Sequence, residues 1–81
     1  MKKVFKGVIF FNVKSSHPDI ECIKNPSETL TFDDTYTMDT DYFFSEDHMI
    51  DFIKDDLALV AAGGYSTEHI CNVEFDIKRI A

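Results

Sequence analysis

From Lys3 to Lys14 one set of alternate positions holds Phe5, Ile9, Phe11 and Val13, the period of two that puts side chains on one face of a strand. The other set is mixed. Val4, Val8 and Phe10 alternate with Lys6, Asn12 and Lys14, which predicts a central strand partly covered on both sides. Ser15 to Asp19 reads as a turn, because Pro18 fixes its own φ and disfavours helix at His17. Ile20 to Lys24 reads as a short second strand with Ile20 and Cys22 on one side, broken by Asn25-Pro26-Ser27. Between Thr29 and Met38 the apolar residues Leu30, Phe32, Tyr36 and Met38 alternate with Thr and Asp. A two-residue turn at Asp33-Asp34 fails, since it sets apolar opposite polar residues. A three-residue turn through Asp33, Asp34 and Thr35 pairs Phe32 with Tyr36 and Leu30 with Met38; one long bent strand fits equally well.

Ser45 has the side chain to cap a helix start, and Glu46 and Asp47 complement the positive end of its dipole. Met49, Ile50, Ile53, Leu57, Val60 and Ala61 then recur at three- and four-residue steps down to Gly63-Gly64, which supply a left-handed stop. The last stretch alternates: Cys71, Val73, Phe75 and Ile77 on one face, Asn72, Glu74, Asp76 and Lys78 on the other. These elements predict one α+β domain over residues 1–81, with an antiparallel or mixed sheet of four to five strands (β-β-β(-β)-α-β) and one helix packed on one face. The second sheet face, with Val4, Val8 and Phe10 and with Ile70 and Ile80, has no element left to cover it, which leaves two readings: a partner or second copy covers it, or Lys stems and Thr side chains shield its few apolar residues.

Composition narrows the function classes. With 44% apolar and 14% aromatic residues the 81-residue chain has enough to build a core, which argues against intrinsic disorder. A net charge of −7 argues against direct nucleic-acid binding and for a basic protein partner. The longest apolar run, Val8 to Phe11, is far too short for a membrane span. Met1-Lys2-Lys3 imitates a secretion signal, but Lys6, Gly7, Asn12 and Lys14 interrupt the pattern. Cys22 and Cys71 form no disulfide framework, and a cytoplasmic location is the expectation.

The charge is segregated. Residues 1–14 carry Lys2, Lys3, Lys6 and Lys14 and no acid, whereas residues 28–56 carry ten acids against Lys54 alone. Asp47, Asp51 and Asp55, four apart, share one helix face, although like charges at that spacing oppose the helix by a few tenths of a kcal/mol per pair. Two readings of this segregation stand: a solvated acidic surface that only keeps the chain soluble, or a ridge of carboxylates, Asp47, Asp51 and Asp55 extended by Asp39, Asp41, Asp33 and Asp34, that engages a basic protein surface. The interleaved Tyr36, Tyr42, Phe43 and Phe44 suit such an interface.

Other chemistry finds little footing. Asp39-Thr40-Asp41 opens like a calcium loop but has Phe43, Phe44 and Ile50 where an oxygen ligand, Gly and Glu are needed. His69 and Cys71 share a strand face in the alternating reading, but no further ligand completes a metal motif. Neither Cys has an electropositive setting, and Gly63-Gly64 lies at a helix end, where phosphate cradles do not form. No catalytic residue, metal site or cofactor is therefore expected, and the chain reads as a non-enzymatic binding module. In size, acidity and lack of catalytic residues it resembles the small proteins with which bacteriophages and mobile elements block host nucleases and other enzymes, some by mimicking DNA. That resemblance rests on composition and carries no site residue. The alternative is a homo-oligomeric structural or accessory domain joined through the open sheet face or an edge.

Overall fold

Strand β1 (Lys2–Val13) takes the centre of the sheet, and it is the strand whose alternate residues Phe5, Gly7, Ile9, Phe11 and Val13 are all buried. Strands β2 (Leu30–Asp39) and β3 (Ile70–Arg79) flank it, both antiparallel to it, in the order β2-β1-β3. The structure is a computed structural model that describes residues 1–81 except 24 and 26. One helix, α1 (Glu46–Ala61), packs on one face, giving an α+β fold.

The sheet has three strands, fewer than the four to five expected. Ile20–Cys22 is a 3-10 turn, not a strand, and its bonds close locally: Ile20 N–H to His17 O, Cys22 N–H to Asp19 O. Both edges of β1 are already taken by β2 and β3, so this segment has no pairing site there. Residue 24, the end of that expected strand, and residue 26, in the expected break, lie outside the described residues. Leu30–Asp39 is one strand and not a hairpin, since every residue in it pairs with β1, from Phe11↔Leu30 to Lys2↔Asp39. The long continuous partner favours the single strand over a turn that would forfeit half of that ladder.

In α1 Ser45 Oγ accepts from His48 N–H at 3.1 Å, and Met49, Ile53 and Leu57 are buried against Phe5, Ile9 and Met38. Val60, expected on this face, is exposed. The helix ends as Gly64 N–H bonds Leu59 O and Gly63 N–H bonds Val60 O, with both glycines at positive φ, 82° and 71°. Helix and sheet approach most closely at Gly7: a Cβ there meets Leu57 Cδ1 at 2.9 Å and Ile53 Cγ2 at 3.0 Å.

Strand β3 departs from clean alternation. Between Phe10↔Glu74 and Asn12↔Cys71 it carries one residue more than β1, a β-bulge in which Asn72 takes φ 53°. Phe75 and Ile77 pack toward the helix, but beyond the bulge Ile70 takes the core-facing place and Cys71 turns away with Asn12. Ile70 therefore belongs to the core, 5% exposed, and not to the open face. The open face carries Val4, Val8 and Phe10 on β1, Thr31, Asp33, Thr35, Thr37 and Asp39 on β2, and Glu74, Asp76 and Lys78 on β3, with Ile80 just beyond. Among the described residues no element covers it, and the two-layer molecule is elongated, 44 × 20 × 17 Å.

Candidate protein-binding surface

The seven carboxylates singled out from the sequence fall on different sides of the molecule. Asp47, Asp51 and Asp55 are exposed on α1 along the side away from Met49, Ile53 and Leu57. Asp33 lies on the opposite, open sheet face and is tied to Lys6 at 2.9 Å. Asp34 sits on the helix side of edge strand β2, where its Oδ1 accepts from Thr35 N–H. Asp39 and Asp41 stand at the 3-10 turn Thr40–Tyr42, with Asp39 Oδ1 accepting from Asp41 N–H at 3.0 Å. One continuous ridge through all seven is thus not built, because β2 and α1 lie in different layers. Asp39 ends β2 on the open-face side, Asp41 stands in the turn that leads to α1, and Asp47, Asp51 and Asp55 lie on the helix; among the described residues none of these five is ion-paired.

Those five border a feature that the sequence only hinted at. Phe44 is 98% exposed and Tyr42 79%, and Phe44 lies flat on His48 with ring centroids 5.4 Å apart. Phe43 turns inward and meets His48 and Phe52 edge-on at 5.3 and 5.6 Å, leaving Phe52 half exposed. The backbone is held in this unusual outward pose: Phe44 N–H donates to His48 Nδ1 at 3.2 Å while His48 N–H donates to Ser45 Oγ. On the helix surface Asp51 is three residues from His48, and Asp55 three from Phe52, so an acidic stripe runs beside an aromatic one. Below them a groove of about 560 Å³ follows the end of β2, lined by Thr37, Met38, Asp39, Tyr42, Phe43 and Phe52 among others. Single exposed apolar residues are ordinary on protein surfaces, whereas contiguous exposed apolar groups are the kind of surface that interaction sites use.

Tyr36 fixes the inner wall. Its hydroxyl donates to Asp56 Oδ2 at 2.6 Å, joining β2 to α1. Burial, then the bonded Asp56 carboxylate and then Asp34, push its ionisation above the ordinary tyrosine range.

At the other end of the molecule, His17 is a structural tie. It is 6% exposed; Nδ1 accepts from Asp19 N–H at 3.0 Å, which leaves the Nε2 proton to donate to Ala62 O at 3.0 Å. Ser16 Oγ lies 3.2 Å from His69 Nδ1, a hydroxyl–imidazole pair that sequence spacing could not reveal across 53 residues. Nucleophilic catalysis needs a third group to orient such an imidazole, and among the described residues His69 bonds no carboxylate. His69 belongs to the 3-10 turn Thr67–His69 and Cys71 to the open face, so the shared strand face expected for them is not formed. Among the described residues no group of three His, Cys, Asp or Glu side chains is arranged to hold a metal ion. Among the described residues no helix is long and apolar enough to cross a membrane.

Compared with known proteins, the chain matches no protein-family model, no curated protein and no solved structure.

Proposed function

We propose that the chain is a non-enzymatic binding module that engages a basic protein surface through the corner formed by Tyr42, Phe44 and Phe52 and their bordering carboxylates Asp39, Asp41, Asp47, Asp51 and Asp55. The observation that carries this reading is the outward pose of Phe44, 98% exposed and stacked on His48 among unpaired acids. Exposed aromatics contribute nothing to a core, yet they are the residue type that anchors protein interfaces once desolvated. The carboxylates supply long-range attraction to a cationic patch and speed the encounter. In its sharpest form the partner is a nucleic-acid-binding protein whose basic groove the chain occupies as an inhibitor, with Asp47, Asp51 and Asp55 standing where phosphates otherwise lie. Asp33 and Asp34, in other parts of the sheet, are left out of this contact.

The test uses a binding partner captured at low salt and compares wild type with two variants, Asp47→Lys/Asp51→Lys/Asp55→Lys and Tyr42→Ala/Phe44→Ala. Both are expected to lose the partner while keeping the far-UV circular dichroism of the wild type, and wild-type affinity is expected to fall steeply as salt rises. Binding that survives both changes removes the proposal.

A further inference from the structure

We infer that the open sheet face is the contact surface for a second copy of this chain, forming a face-to-face twofold dimer. Its centre is an apolar line along β1, Val4, Val8 and Phe10, joined at one end by Ile80, which is 59% exposed. Charges flank that line in an ordered way. Toward the start of β1 stand Lys2, Lys6 and Lys78 with Asp39 as the single acid; toward its end stand Asp33, Asp76 and Glu74. One half of the face is positive and the other negative, with the boundary between the Lys6 and Val8 rows.

A twofold axis through that boundary, at right angles to β1, lays each positive half on the negative half of the second copy. Val4 then faces Phe10 across the dyad. Within one chain Lys6 already reaches Asp33 at 2.9 Å and Lys78 reaches Asp76 at 3.8 Å, so in the dimer each lysine stands between a carboxylate of its own chain and one of the other. This self-complementarity is what an isologous interface requires.

Charge also favours this face over any other for self-association. The whole chain carries −7, and its helix side, with Asp47, Asp51 and Asp55, repels a second copy. The open face, three lysines against four acids, is nearly neutral. Strand rise and spacing give roughly 500 Å² of covered face per copy, about 1,000 Å² in all, at the lower bound for a specific interface. The dimer is accordingly weak and forms at high concentration. Tyr42, Phe44 and Phe52 lie outside this face, which shares Asp39 with the contact proposed above.

Sedimentation equilibrium from about 10 µM to 1 mM tests the inference. Wild type is expected to shift from monomer toward dimer, and Asp47→Lys/Asp51→Lys/Asp55→Lys to dimerise at least as well. Phe10→Ser, and separately Val8→Asp, should remain monomeric with unchanged circular dichroism; the milder Phe10→Ser keeps the test valid where Val8→Asp fails to fold. The variants Lys6→Glu/Lys78→Glu and Asp33→Lys/Asp76→Lys should each be monomeric alone and associate one to one when mixed. A wild type that stays monomeric at 1 mM overturns the inference, as does a dimer indifferent to Phe10→Ser, which would point to an exposed strand edge instead. Failure of the mixed pair to associate overturns it too.

Discussion

Gly7 is the residue on which the two layers close. Any side chain there collides first with the methyl ends of Leu57 and Ile53, which can yield a little for Ala and not for a branched residue. Gly7→Val is expected to destabilise the fold by about 1–3 kcal/mol as an overpacked core does, read as a lowered urea midpoint; an unchanged midpoint would mean the helix does not seat on this strand. Phe44 is the opposite case. Being almost wholly exposed, it should change to Ala within about 0.5 kcal/mol of wild-type stability, so a binding defect in that variant is a surface effect. Tyr36 makes a pH-dependent contribution. Because the folded state disfavours its phenolate, that contribution is intact below the ordinary value of 10.0 and is lost as pH rises above it. The stability advantage of wild type over Tyr36→Phe should therefore hold up to about pH 10 and shrink progressively above it, measured by urea melts; a gap that stays constant above pH 10 would contradict the buried hydroxyl.

At the scale of elements, β1, the capped helix from Ser45 and the Gly63-Gly64 stop were legible, because period and cap residues act within a few positions of each other. Ile20 to Cys22 forms a 3-10 turn where alternation predicts a strand, because the alternating run is too short to be decisive and only the pairing of β1 with β2 and β3 decides that no partner remains there. The bulge was equally hidden. Cys71 to Ile77 alternates without a break, and nothing local says that Asn72 will take a left-handed φ and send Ile70 inward. That geometry gives a prediction: Asn72→Val should cost about 1–2 kcal/mol, as a branched residue in the left-handed region does, while Asn72→Gly stays near wild type in the same denaturation assay. Equal losses for the two would show that the bulge does not hold the register of β3.

For the whole molecule, the segregated charge could be read from the chain, but not which acids share a surface, since that depends on which layer each element joins. Asp33 and Asp47 are close in sequence and lie on opposite sides of the molecule. The proposed contact is smaller, five carboxylates and a group of aromatics whose exposure no pattern of apolar spacing signals. Hydroxyl-radical footprinting of the chain, free and bound to a captured basic protein, tests that site most directly. Oxidation of Tyr42 and Phe44 is predicted to slow several-fold in the complex while Tyr65, at the other end of the molecule, is unaffected. Tyr42 and Phe44 reacting as fast in the complex as in the free protein would contradict the account.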